Sequence, residues 1–404
     1  MTDTPHGASR TLLVTGPGGD GVSSVAAATA LAGARAGRLT LLLSREPADR
    51  LAALLGGAPV RPDGRPTEAA PGLWVARIDP AADFRAAVLA AQRTARSTLA
   101  TLGSATLQDD ELTELPGAEP LAVLAALRAA HAAERWPLIV VDLPPALDAV
   151  RLLALPEQLR RYLRQLLPGE RRTARALRPL LAQIASIPMP ADGLFTAAEG
   201  WDEALAEGQR LIEAPGTAAR LVFEPNARSA ATARTARAGL ALHGVGVEEI
   251  IANRLVPQGS DPWLAGVAAR QAAVLAEFAG AALLAEPPRR LPMLVAEPDA
   301  AALAELLPPP PTADVARQTP VLEDRLADEG LLVWRLPLPG AAKESLDLVR
   351  QGDELVVTVG PFRRVLALPS APRRCTIAGA AFASGELTVR FAPDPARWPE
   401  RSPG

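Results

Sequence analysis

Hydrophobic and polar positions divide this chain into stretches of different rhythm. It opens with a short, continuously apolar run, Thr11 to Thr15 (TLLVT), then a glycine-rich turn, an alanine-rich run from Ser23 to Ala36, and a second apolar run, Leu39 to Leu43 (LTLLL). Short runs that are apolar on both faces, separated by a helix-length segment, predict a parallel strand-helix-strand unit buried on both sides. The signature returns at Leu138 to Asp142 (LIVVD) and Glu249 to Asn253 (EIIAN), so these are expected as core strands of the same sheet.

Between them, Asp83 to Leu102, Leu121 to Ala133, Leu152 to Leu167 and Thr173 to Ile187 are helical by composition, which predicts helical insertions forming a separate layer, about 83–215. The stretch Leu307 to Pro320 (LPPPPTADVARQTP) cannot continue a helix, because consecutive prolines remove donors and fix an extended backbone; it is expected to be exposed. Beyond it the period becomes that of short strands: Ser345 to Val349, Glu354 to Val359, Arg364 to Leu368 and Glu386 to Phe391. Leu387, Val389 and Phe391 alternate with Thr388 and Arg390, as a half-buried antiparallel strand requires. The expected plan is 1–306 as an α/β unit with a mostly parallel sheet and helical insertions, 307–330 as a proline-rich linker, and 331–404 as a small antiparallel β-sandwich.

Composition sharpens this picture. Hydrophobic residues make up 49% of the 404 positions but aromatics only 3%, which favours helices packed on a sheet over an aromatic β-sandwich throughout. A formal charge of −3 leaves no global basic footprint, so nucleic acid is not an expected partner. Cys375 is the single cysteine and His6, His131 and His243 are the only histidines, so neither a disulfide nor clustered metal-ligand spacing can be drawn. The N-terminus, MTDTPHGASR, lacks the basic region and long apolar run of a signal peptide, and charges punctuate every long hydrophobic segment. A cytoplasmic protein is expected, with any membrane role peripheral.

The candidate chemistry lies between the first strand and the first helix, in Gly16-Pro17-Gly18-Gly19-Asp20-Gly21-Val22-Ser23-Ser24. A phosphate-binding loop wraps its ligand with backbone N–H groups at this place, and only Val22 breaks the spacing GxxxxGK[ST]. Without the lysine, the same spacing also fits a tight turn that binds nothing. Asp142 at a strand end, Glu46 before Pro47 and Asn253 likewise suit ordinary caps and turns.

Taken in order, however, these segments resemble the ArsA/GET family of P-loop ATPases. The family loop reads GKGGxGKT[ST]; Gly16, Gly18, Gly19, Gly21 and Ser24 match it, Ser23 stands for the threonine, and the two lysines fall on Pro17 and Val22. Ser44-Arg45-Glu46-Pro47-Ala48-Asp49 resembles switch I, with Glu46 at the aspartate that positions the attacking water. Leu115-Pro116-Gly117-Ala118-Glu119 resembles the PGxxE segment, and Asp142-Leu143-Pro144-Pro145 through Arg151-Leu152-Leu153-Ala154-Leu155-Pro156 resembles switch II. Asn253-Arg254-Leu255-Val256-Pro257 is similar to NRxxP, whose asparagine reads adenine, and Leu291-Pro292 through Glu297-Pro298 resembles the closing element. The strands after residue 331, with Gly360-Pro361-Phe362-Arg363-Arg364, Leu368-Pro369 and Ala380 to Phe391, resemble the α-crystallin-like (small-heat-shock-like) domain that some bacterial members append.

The resemblance implies nucleotide contacts from Gly16, Gly18, Gly19, Gly21, Val22, Ser23, Ser24 and Asn253, and ATP or ADP with Mg²⁺ held by Ser23 and Asp142. It implies Glu46 as the catalytic candidate and Arg45 as the nearest compensating cation. Phosphoryl transfer depends on cations set against developing charge, and losing such a contact typically costs about 10²–10³-fold in rate. Val22 brings no charge and Asp20 adds a carboxylate to the loop, so a hydrolysis-deficient regulatory or scaffold partner of an active paralogue is expected. A slow ATPase in protein targeting or anion transport and a chaperone-like holdase are the alternatives. Family members dimerise across their loops, which implies a homo- or heterodimer; Asp20 on both sides of a symmetric seam is expected to favour the heterodimer. A protein client is implied for the C-terminal domain, beside its reading as a plain stabilising sandwich. Three methionines, one cysteine and no CxxC pair give no expectation of a tail-anchor groove, arsenic site or zinc site.

Overall fold

The computed structural model describes residues 9–94, 107–113, 117–166, 191–259, 261–282, 286–294, 299–313 and 318–398. Eight strands form the central sheet: β1 Arg10–Thr15, β2 Thr40–Ser44, β3 Thr67–Ala70, β4 Leu73–Arg77, β5 Leu138–Asp142, β6 Thr217–Phe223, β7 Gly246–Leu255 and β8 Arg289–Pro292. Their order is β3-β4-β2-β5-β1-β6-β7-β8, parallel except for the β3–β4 pair. The order reverses around β1, so the loop that leaves β1 stands where ligands sit in open parallel sheets.

Both faces are covered, which is why the central strands read as unbroken apolar runs. On one face Leu12 and Val14 pack under α1 (Val22–Arg35), α2 (Ala48–Leu54) and, further along the chain, α9 (Ala300–Leu306). On the other, Leu13, Leu43 and Val141 meet the apolar sides of α4 (Ala118–Ala132), α5 (Ala146–Leu166), α7 (Ala227–Leu242) and α8 (Pro262–Ala282). Two further helices, α3 (Pro80–Thr94) and α6 (Ala191–Ile212), pack beside α4 and α5. The helix expected at Thr173 to Ile187 lies outside the described residues.

The C-terminal part is built from β9 (Val321–Arg325), β10 (Leu331–Pro337), β11 (Leu346–Gln351), β12 (Glu354–Val359), β13 (Phe362–Ala367), a short α10 (Ser370–Arg373), β14 (Cys375–Ala383) and β15 (Glu386–Pro393). They make two antiparallel sheets, β14-β15-β10-β9 and β11-β12-β13. The first of these strands falls inside the stretch read as a linker. Leu307 and Pro310 ahead of it are buried, the Arg38 guanidinium donates to the Pro310 carbonyl, and Arg10 donates to the Ala313 carbonyl at 2.5 Å. The proline-rich run is thus strapped across the N-terminal ends of interior strands by two arginines, Arg10 at the start of β1 and Arg38 just before β2, a long-range contact that prolines alone do not announce.

The β-domain is seated on α5 and α7. Phe362, buried from solvent, lies against Gly239 of α7, and Val150 of α5 stands beside the same glycine. Arg161 pairs with Glu354 at 2.5 Å, and Arg364 pairs with Glu157 at 3.0 Å while donating to the Leu242 carbonyl at 2.8 Å. The two helices that carry these contacts begin, at their other ends, beside the loop after β1.

Candidate functional site

That loop is wound by its glycines and held from outside. A Cβ at Gly16 would lie 2.0 Å from the Val222 carbonyl oxygen, so only glycine lets the chain cross β6 there. Gly21 has φ +86°, the left-handed region that favours glycine, and a Cβ on it would meet Asn253 Nδ2 at 2.5 Å. Asn253, at the end of β7, uses that amide to donate to the Asp20 carbonyl at 2.8 Å, and Arg254 donates to the Gly19 carbonyl at 2.8 Å. With the carbonyls held from β7, α1 starts without a side-chain cap, and its first-turn N–H groups are the kind that an anion satisfies.

Four elements converge at the start of α1. The Ser23 hydroxyl donates to Glu46 Oε1 at 2.9 Å, and the Ser44 hydroxyl donates to Asp142 Oδ2 at 2.8 Å. The Glu46 N–H reaches Ser44 Oγ at 3.2 Å, and Arg50 sits 3.3 Å from Glu46. Burial pushes the Asp142 carboxyl above its ordinary range, against the pull of the Ser44 and Ser23 hydroxyls. Residues far apart in sequence, Ser23, Glu46 and Asp142, are thus one cluster. Ser44 belongs to it and was not singled out by sequence; its signal is a hydroxyl ending an otherwise apolar strand.

Other expectations fare differently. Val22 is half-buried and packs with the apolar cluster under α1, and Pro17 and Gly18 face a pocket beside the loop. Asp20 is turned beneath the loop: it is 5% exposed, burial raises its pKa, and the Glu224 N–H and the Ser229 hydroxyl, 3.4 Å away, face it. Its carboxylate is therefore not exposed on the surface of the loop, which removes the basis of the self-repulsion expected across a symmetric seam. Arg45 is paired with Glu119 of α4, away from the role of free cation. Leu115, Pro116, Glu297 and Pro298 lie outside the described residues. Among the described residues no group of three or more His, Cys, Asp or Glu side chains gathers as a metal site, and no helix is long and apolar enough to cross a membrane.

Comparison with known proteins places these features in a lineage. Residues 9–279 match the family described as "Anion-transporting ATPase", and residues 329–391 match the "HSP20-like domain found in ArsA". An uncharacterized protein of Streptomyces coelicolor is 50% identical over 96% of this chain and 99% of its own length. A Mycobacterium tuberculosis protein is 31% identical over 96% of this chain and 97% of its own. A protein of Aquifex aeolicus named as an arsenical pump-driving ATPase is 24% identical over 89% and 94%, respectively. Like them in extent, the chain belongs to the anion-transporting ATPase (ArsA) family and carries that family's HSP20-like domain in its C-terminal part.

Proposed function

We propose that this chain is a hydrolysis-deficient member of its family, acting as a regulatory or scaffold partner of a homologue whose loop keeps both lysines. The observation that carries the reading is the mixture at one site: a wound loop with Ser23, Glu46 and Asp142 gathered at its end, beside Val22 and Pro17 where cations are required. Ser23 and Asp142 fit Mg²⁺, a hard cation that prefers oxygen donors, and the uncapped start of α1 fits a phosphate. Bound Mg²⁺ supplies positive charge to phosphate oxygens. Of the residues of this chain, Ser23 and Asp142 would hold the metal, Asn253 braces the loop through the Asp20 carbonyl, and Glu46 accepts a hydrogen bond from Ser23. What is missing is the cation that meets charge developing on the transferred phosphoryl group, and that term dominates the rate.

Purified protein is expected to hydrolyse no more ATP than a heat-inactivated control, and Val22→Lys with Pro17→Lys to raise the rate. Wild-type turnover of about 1 s⁻¹ or faster, an ordinary enzymatic rate, overturns the reading. In this reading residues 1–306 form the nucleotide unit and 331–404 the docked regulator, with 307–330 joining them.

A second reading, a holdase for apolar segments, is favoured by a groove of 760 Å³ between α3, α4 and α6, lined by Phe84, Val88, Leu121, Leu124, Trp201 and Leu205. Trp201 is 57% exposed there. Suppression of client aggregation that Trp201→Asp abolishes would support it; unchanged suppression counts against it.

A further inference from the structure

A second cavity, of 510 Å³, opens on the α7 side of the loop. Pro17 and Gly18 form one wall, Arg151 and Asp148 of α5 a second, and Arg228 and Ser229 of α7 a third. Its volume suits a small-molecule ligand.

One charge in this cavity is unfavourably placed in the empty fold. α7 has 16 residues, is capped by Asn226, and has no acidic residue in its first turn. Instead it places Arg228 there, where the helix dipole is already positive and a cation is unfavourable. Among the described residues Arg228 has no carboxylate partner. Among the described residues Arg151 is paired with Asp148, at 2.8 Å, and both are mostly exposed. Asp20, the other nearby acid, is buried behind Ser229. Two arginines and a helix N-terminus therefore line the space beside Gly18, with a single exposed carboxylate, Asp148, among them. Guanidinium forks match phosphate oxygens in pairs, and a ligand with two or three linked phosphates is long enough to meet both.

We propose that this cavity is an anion subsite for a di- or triphosphate group, with Arg228 and Arg151 supplying the charge that Pro17 and Val22 do not. The proposal rests on the reading that the loop itself has lost its cations, and it adds a second place to it: phosphates held in this cavity lie apart from the one that Ser23, Asp142 and the start of α1 offer, and are retained without being cleaved.

The test is calorimetric titration of the full chain with ATP, inorganic tripolyphosphate and adenosine, using wild type, Arg228→Glu and Arg228→Ala. Arg210→Ala, on the last turn of α6 at the opposite end of the sheet, is the control. Wild type and control are expected to bind both polyphosphates and not adenosine, with affinity falling as salt rises. Arg228→Ala should weaken both about tenfold and Arg228→Glu more, with circular dichroism showing both variants folded. ATP binding tighter than tripolyphosphate assigns a nucleotide, and equal binding assigns a free polyphosphate. Wild type that binds neither polyphosphate at millimolar concentration, or Arg228 variants that bind like wild type, overturn the proposal. So does loss of homologue binding in Arg228→Glu without any anion binding, which assigns the arginines to a protein contact. ATP turnover in the same samples reads the hydrolysis-deficient proposal separately.

Discussion

Gly239 on α7 should behave unlike a helix-interior glycine, because the C-terminal domain occupies the space where its side chain would be. In an isolated helix, Gly→Ala stabilises by about 0.5–1 kcal/mol through lost backbone freedom in the unfolded chain. Here the added Cβ would stand 2.5 Å from Cδ2 and Cε2 of Phe362 and 2.9 Å from Cγ1 of Val150. Phe362 is 3% exposed and wedged against α5 and α7, so its ring has little room to retreat. Overpacking of this kind costs about 1–3 kcal/mol, which outweighs the helix gain and leaves Gly239→Ala destabilising by on the order of 1 kcal/mol. Phe362→Ala alone should cost about 3–5 kcal/mol by opening a cavity. In that background the cavity receives the new methyl and lets Val150 turn, so Gly239→Ala should become neutral or stabilising. The two sites are thus coupled by about 1–2 kcal/mol. The assay is urea unfolding of the four proteins, followed by the combined fluorescence of the six tryptophans, Trp334 on β10 among them, with m-values compared. Gly239→Ala that stabilises the wild type, or has the same effect in both backgrounds, would show that the β-domain is not seated on α7 in solution.

Acidification should weaken the same junction. His243 follows α7 and is buried; burial lowers its imidazole below 6.5, Arg364 adding to this and Glu157 opposing it. The folded chain then binds that proton less readily than the unfolded one, so the contribution of His243 is complete above about pH 6.5 and is lost as pH falls below it. The urea midpoint should fall between pH 7.5 and 5.5 with a slope that His243→Gln reduces, and an unchanged slope refutes the assignment. In the sheet, Arg220 is 1% exposed and pairs with Glu248 at 3.0 Å and Glu249 at 2.9 Å, while donating to Thr29 Oγ1 at 2.8 Å. Glu248 keeps Arg10 and Glu249 keeps Arg289 as partners, so Arg220→Met should cost about 1.5–3 kcal/mol, the worth of a buried hydrogen bond to a charged group, and a urea-derived loss under about 0.5 kcal/mol would contradict that account.

Strands whose environment is uniform along their length were legible before folding was considered. β1, β2 and β5 are buried on both faces and read as apolar runs, and β12 appeared at its observed bounds, Glu354–Val359. The order of the loop, Glu46 and Asp142 segments, and the absence of lysine at positions 17 and 22, were likewise legible. Tertiary structure alone decided the rest. β6 passed unnoticed because Arg220 interrupts its apolar run, and an arginine in a central strand becomes tolerable only when Glu248 and Glu249 of β7 lie beside it. β14, small and largely exposed, lacks the alternation that marks a half-buried strand. Asp20 read as a carboxylate in the path of a ligand, yet the β6–α7 turn offers an N–H and a hydroxyl that draw it beneath the loop. Local pattern fixes backbone periodicity, since that depends on each residue's own preferences and nearest neighbours. The direction of a charged side chain depends on partners hundreds of residues away, and those positions exist only once the chain has folded.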